Sequence, residues 1–135
     1  MTYFVSGHRD LTQEEFNEHY IPLIDKVIKE DVWAEFEVGD WEGCDTMFIE
    51  HLLTNPNYPD IIVVCVKDPR IKPFGEDLFH YCRTYSKSCN TYDECDEWMT
   101  YNSDFDIAWI RPGREDSHTA KNIKRRYNLC CILMN

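Results

Sequence analysis

Strands that alternate with helices, each strand ending in a turn with glycine or aspartate, predict an α/β fold. The expected architecture is one domain over residues 1–135, with a mainly parallel sheet of about five strands flanked by helices. Three observations carry this reading. Tyr3-Phe4-Val5 runs straight into Ser6-Gly7, and a helix pattern starts a few residues later. Ile61-Ile62-Val63-Val64-Cys65-Val66 is a continuous apolar, β-branched run, as a parallel strand buried on both faces requires. Phe16, Tyr20, Leu23, Ile24, Val27 and Ile28 recur at helical spacing between the two.

The remaining elements follow in chain order. Thr12 with Glu15 three residues on is a capping box and starts the first helix, which runs to about Glu30. Pro22 inside it predicts a kink or a division into two helices. His19 lies off the apolar stripe and reads as a solvated residue. Trp33 to Val38 alternates apolar and acidic residues, the pattern of a strand with one wetter face. It ends in Gly39-Asp40-Trp41-Glu42-Gly43-Cys44-Asp45, a second glycine turn, after which Cys44, Met47, Phe48 and Leu52 form a helical stripe. Residues 55–60 are a proline-rich loop. Residues 67–90 hold Pro69, Pro73, Gly75 and the aromatics Phe74, Phe79, Tyr81 and Tyr85 without a persistent period; they read as a long loop with at most one short element. Thr91 and Glu94 open a helix to about Asn102, and Phe105 to Ile110 is a strand that delivers Arg111-Pro112-Gly113. A helix then starts near Ser117 or Thr119, and Tyr127 to Leu133 is expected to be the last strand.

Composition narrows the class. The apolar fraction is 43% and the aromatic fraction 14%, which suits a folded chain and excludes disorder. No apolar run reaches the length of a membrane span, and no basic segment precedes an apolar run at the N-terminus. Seven cysteines, an odd number, then read as reduced thiols, and the expected location is cytoplasmic. The net charge of −11 argues against nucleic acid or a membrane surface as partner. The charge is uneven. Arg111, Arg114, Lys121, Lys124, Arg125 and Arg126 against Glu115 and Asp116 make residues 111–126 +4, which leaves −15 elsewhere (−11 minus +4). Such a segment is compatible with a small anionic ligand; equally, Lys124, Arg125 and Arg126 suit the last turn of a helix.

In a parallel sheet the strand C-termini share one edge, where ligands bind. Three turns would meet there: Ser6 to Asp10, Gly39 to Asp45, and Arg111 to Asn122. They offer the cations Arg9 and Arg111, the carboxylates Asp10, Asp40 and Asp45, the hydroxyls of Ser6, Ser117 and Thr119, and a helix N-terminus. Amide groups and arginine suit a phosphate, and carboxylates suit sugar hydroxyls. Taken one at a time, the same aspartates read as helix caps and the same glycines as turn residues.

Ser6-Gly7-His8-Arg9 resembles the first glycine turn of the SLOG superfamily of Rossmann-like proteins. That superfamily includes nucleoside 2-deoxyribosyltransferases and cytokinin-activating phosphoribohydrolases. Val38-Gly39-Asp40-Trp41-Glu42-Gly43-Cys44-Asp45 is similar to its second turn, a Gly-(Gly/Asp)-x-x-Gly-x-Asp arrangement. Asp96-Glu97-Trp98-Met99 and Ser103 to Trp109 look like the helix and strand before its third turn. Arg111-Pro112-Gly113 through Ser117-His118-Thr119-Ala120-Lys121-Asn122 resembles a stretch that in active members reads Pro-Gly-Gly-x-Gly-Thr-x-x-Glu. The resemblance implies a Rossmann-like domain that binds a nucleotide or nucleoside-derived ligand, in which Ser6, Gly7, Arg9, Gly113, Ser117 and Thr119 handle phosphate. It implies that Asp40 and Asp45 contact ribose or orient loops, with His8, Gly39, Gly43, Arg111, His118 and Asn122 around the same ligand. It also makes a homodimer an expectation, with residues 74–85 as an interface.

The departures bear on catalysis. Members of the family carry a glutamate where Asn122 stands, and a glycine where His118 stands; an amide forms no glycosyl ester and serves as no general base. Cys95 occupies the place of an arginine. Asp45 and Glu115 are the acids that could act instead. The expectation is therefore a binding protein, with two alternatives: an N-glycosidic-bond hydrolase or deoxyribosyltransferase with a relocated acid, and a non-catalytic interaction module. No cofactor is called for. His80, Cys82, Cys89 and Cys95 are the one set with metal-ligand chemistry, but their spacing lacks a Cys-x-x-Cys pair, so no metal is assigned.

Overall fold

In the computed structural model, residues 1–54, 60–66 and 84–134 are described. The strands are β1 (Thr2–Ser6), β2 (Glu35–Gly39), β3 (Asp60–Val66), β4 (Thr84–Cys89) and β5 (Phe105–Ala108). Each runs parallel to its neighbours in the order β4-β3-β2-β1-β5. The register sets Val5 opposite both Val38 and Ile107. The chain therefore builds outward from β1 on one side, then returns to place β5 on the other. The turns after β1 and β5 diverge from this point, and a crevice opens between them at the carboxyl edge.

The helices are α1 (Gln13–His19), α2 (Ile21–Glu30), α3 (Cys44–Leu53), α4 (Tyr92–Tyr101) and α5 (His118–Met134). The first three cover one face of the sheet. There Val5, Phe36, Val38, Ile61 and Ile107 meet Phe16, Tyr20, Ile24, Phe48, Ile49 and Leu52 in one buried cluster. Strand side chains alternate between faces. Phe4 accordingly points the other way and packs with Cys95 and Met99 of α4. The result is a three-layer α/β domain with a parallel sheet between helices, Rossmann-like in its connections. Among the described residues no helix is long and apolar enough to cross a membrane.

Local chemistry explains the boundaries. At α1 the capping box is complete: Thr12 Oγ1 accepts from the Glu15 N–H at 3.1 Å, and Glu15 Oε1 accepts from the Thr12 N–H at 3.0 Å. Pro22 divides the helical region rather than kinking it. It sits in the first turn of α2, where a missing N–H costs nothing, and Tyr20 is the junction. Thr91 caps α4 by accepting from the Glu94 N–H, while the Glu94 carboxylate takes the Asn90 N–H.

Two expectations are corrected and one is made specific. Tyr127 to Leu133 is the continuation of α5, not a strand. No glycine or proline interrupts residues 118–134, so nothing stops the helix, and a short apolar run cannot distinguish a strand from a buried helix by itself. A strand lies at Thr84–Cys89, the one short element that the loop reading of residues 67–90 allowed. β2 does not have a wet face: Glu37 is 1% exposed, covered by the α4–α5 layer, whereas Trp33 lies before the strand and is 84% exposed. The aromatic stretch 74–85 suggested as a dimer interface falls almost wholly outside the described residues, as do His80 and Cys82.

Candidate functional site

A cavity of about 320 Å³ opens at the carboxyl edge of the sheet, on the α4–α5 side. Its walls come from four turns. The β1 turn contributes Ser6 to Asp10; the β2 turn contributes Gly39 to Glu42 together with Asp45 of α3. The start of α4 supplies Tyr92, Cys95 and Asp96, and the approach to α5 supplies Arg114, Ser117, His118, Thr119 and Asn122.

Most of the residues singled out in the sequence meet here: Ser6, Gly7, His8, Arg9, Gly39, Asp40, Asp45, Ser117, His118, Thr119 and Asn122 all line the cavity. Gly43, Arg111, Gly113 and Glu115 do not. Their roles are visible elsewhere. The Arg111 guanidinium is held by carboxylates: Nε and Nη2 donate to Glu15 at 2.9 and 2.7 Å, and Nη1 donates to Asp10 at 3.1 Å. Gly113 adopts φ +89°, with open space where a side chain would lie, and is a turn glycine. Glu115 is exposed and accepts from the Gly113 N–H at 3.1 Å.

Two glycines serve loop packing. A Cβ on Gly7 would lie 2.5 Å from both Cys44 Sγ and Tyr20 Oη, so the β1 turn can approach α3 only with glycine there. Gly43, at φ +81°, brings its backbone against the Arg9 and His8 carbonyls. The Cys44 N–H then donates to the His8 carbonyl at 3.3 Å. Tyr20 closes the crevice from below: its hydroxyl donates to the Ser6 carbonyl at 2.7 Å and accepts from the Trp109 N–H at 3.0 Å. The third turn is joined to the first through His8, whose Nε2 accepts from the Arg111 N–H at 2.9 Å. Burial, with Arg114 and Arg111 nearby, holds the His8 pKa below its ordinary value, so the ring is neutral with its proton on Nδ1. His19, read as solvated, is stacked on Trp109 with ring centroids 4.0 Å apart.

The +4 segment does not form a basic patch. Arg111 and Arg114 engage Asp10, Arg126 engages Asp106 and Ser103, and Arg125 donates to the Asn122 side chain at 2.8 Å. The cavity itself is acidic. Asp45 accepts from the Trp41 N–H at 3.2 Å, yet its carboxyl is pushed up to about 7, first by burial and then by Asp96 and Asp40. Burial likewise pushes Asp96 up to about 6, against the pull of Arg125 and His118.

The Ser6 hydroxyl in the cavity wall stands out. Ser6 is 7% exposed, and its Oγ has no hydrogen-bond partner among the described residues. Ser6 follows Val5 in alternation and so shares the face of Phe4, which is the face of the cavity. Ser117 differs: its Oγ is taken by the Ala120 N–H at 3.2 Å, which makes it the cap of α5.

The wall also contains residues that sequence reasoning did not assign to the ligand site: Trp41, Tyr92, Cys95, Asp96 and Arg114. Each helix of a parallel sheet starts at the carboxyl edge, so recognising β4 would have made Asn90-Thr91 a fourth turn there and brought Tyr92 and Asp96 into view. The remaining metal-ligand candidates, Cys89 and Cys95, are in no disulfide, and no group of three potential ligands exists among the described residues.

No protein-family model, curated protein or solved structure matches the chain. The reading of the site therefore rests on its own chemistry.

Proposed function

We propose that this protein binds a nucleoside-derived ligand, with or without phosphate, in the cavity at the carboxyl edge of its sheet. The observation that carries this reading is the Ser6 hydroxyl, buried in the cavity wall without a hydrogen-bond partner among the described residues. Buried polar groups are nearly always hydrogen-bonded, and an orphan costs about 1–3 kcal/mol. A ligand that accepts from or donates to Ser6 Oγ removes that cost. The volume falls at the small end of small-molecule sites, roughly 300–1,000 Å³. The first-turn amides of α5 at His118 and Thr119 offer donors for a phosphate or a hydroxyl. Asp40, Asp45 and Asp96 offer acceptors for sugar hydroxyls.

Thermal-shift measurements against nucleosides and nucleoside monophosphates test the proposal. Stabilisation is expected with at least one of them, and Ser6→Ala should remove most of it. The same variant should leave the ligand-free protein as stable as before or more so, because it deletes an unsatisfied group. A panel without any shift at millimolar concentration would refute the reading.

Asp45 favours a second reading, cleavage of an N-glycosidic bond. A carboxyl with a pKa of about 7, facing a ligand cavity, is matched to general acid–base work near neutrality. Asn122 cannot fill that role, and Glu115 lies outside the cavity. Release of free base from nucleosides or their monophosphates, lost in Asp45→Asn, would establish it; binding without release leaves a binding protein.

A further inference from the structure

We infer that the acidic, aromatic end of this cavity recognises a planar cation on its ligand, of the kind an N-methylated nucleobase carries. The inference rests on the proposed nucleoside-binding role of the cavity. Trp41 and Tyr92 form a corner, with ring centroids 4.7 Å apart and planes at 87°. Over the Trp41 face, 3.8 Å from its centroid, lies the guanidinium of Arg9, itself a planar cation, which is also 6.0 Å from the Tyr92 ring. Arg9 thus stands where the cationic ring of a ligand would stack, held by attraction to the electron-rich face.

The charges around this corner point the same way. The carboxyls lining the cavity are Asp10, Asp40, Glu42, Asp45 and Asp96; Asp10 is taken up by Arg111 and Arg114, and Arg9 lies on Trp41, which leaves Asp40, Glu42, Asp45 and Asp96. His8 is neutral. Once Asp45 and Asp96 are ionised, a polyphosphate would meet more negative than positive charge here, and a cation would meet a favourable field. The Ser6 Oγ, buried without a hydrogen-bond partner among the described residues, independently favours a polar ligand here.

A pH dependence follows. Asp45 is faced by Asp96 from α4, by Asp40 and the Trp41 N–H from the β2 turn, and by Arg9 from the β1 turn. Asp96 is faced by Arg125, His118 and Asn122 from α5 and by Asp93 on its own helix. These two carboxyls, held at about 7 and about 6, must ionise fully to meet a cation, so binding releases protons and weakens on acidification.

Calorimetric titration of the intact protein with matched pairs tests this: 1-methyladenosine against adenosine, and 3-methylcytidine against cytidine. At about pH 7.5 the methylated cation of each pair should bind about tenfold more tightly or better. The preference should shrink at about pH 5.5 and in Asp45→Asn, which keeps an acceptor for the Trp41 N–H; Asp96→Asn provides the same test if that variant does not fold. Arg9→Ala should strengthen cation binding by emptying the Trp41 face, whereas a phosphate-holding Arg9 would give a loss. Neutral nucleosides that bind as well as their methylated partners overturn the inference and leave the nucleoside site standing. Binding by neither member of either pair overturns both.

Discussion

Glu37→Gln should make the protein more stable at neutral pH and leave it little changed in acid. Glu37 is 1% exposed on β2, its Oε2 has no partner among the described residues, and burial pushes its pKa from 4.5 up to about 8 despite the pull of Arg126. The folded state therefore keeps the proton in a range where the unfolded chain has released it. Stability from this group is complete below about pH 4.5 and is lost as pH rises towards 8. Each pH unit in that window costs about 1.4 kcal/mol, so the loss at pH 7 is about 3 kcal/mol. Glutamine has the shape of the protonated acid and never ionises. Its second amide hydrogen needs accommodation, but that cost does not vary with pH and cancels when two pH values are compared. Urea unfolding of both proteins at about pH 4 and about pH 7 provides the measurement. The variant's advantage should grow by about 3 kcal/mol between them, with Asp45 and Asp96 titrating equally in both proteins. An advantage that is the same at both pH values would show that Glu37 is not held protonated by the fold.

The interlocked turns give further expectations. Gly7→Ala places a Cβ 2.5 Å from Cys44 Sγ and Tyr20 Oη; it should destabilise by about 1–3 kcal/mol in denaturant unfolding, and Cys44→Ala should recover part of the loss. Tyr20→Phe deletes the hydroxyl that joins the Ser6 carbonyl to the Trp109 N–H and should cost about 1–3 kcal/mol. Full stability in that variant would show that the two strand ends do not depend on this bridge. Arg111→Gln should release Glu15, whose pKa Arg111 and the Thr12 N–H hold at about 2, back towards 4.5, as NMR titration would detect. Because that pKa is depressed, the group stabilises the fold above about 4.5 and loses the effect as pH falls towards 2; the wild type should therefore show a steeper acid loss than the variant.

Sequence legibility followed the strength of each local signal. The capping box at Thr12, the Thr91 cap, the helical stripe from Phe16 to Ile28 and the β-branched run at Ile61 were readable because each is fixed by residues within a few positions. β4 was not, because Thr84-Tyr85-Ser86-Lys87-Ser88-Cys89 has neither an apolar run nor a clean alternation. Its place is set by pairing with β3, which is a long-range fact. The end of α5 was misread for the opposite reason: a strong apolar run existed, and only the lack of a breaker before it told against a strand. Within the site, three of the four turns were legible, and the fourth was lost with β4. The partners of charged groups were invisible throughout. Arg111 looked free because Glu15, about a hundred residues away, already had a visible role in a cap.

That double role changes what the opening turn is for. Ser6-Gly7-His8-Arg9 has the composition of a phosphate loop, yet much of it is committed within the protein. Gly7 is glycine because α3 leaves no room for a side chain, and the His8 ring and carbonyl join the other turns. Arg9 lies on Trp41, and the Ser6 carbonyl is taken by Tyr20. The Ser6 hydroxyl is left over. A loop locked by this many internal contacts cannot close around a ligand by rearranging, so under the proposed function it would bind as a preformed wall and spend little ordering entropy. Specificity must then come from the groups with freedom to respond: the Arg9 side chain, which can leave the aromatic face, and the carboxyls of Asp45 and Asp96, which can lose their protons near neutrality. Both respond to charge, and a charged ligand is the kind that would use them.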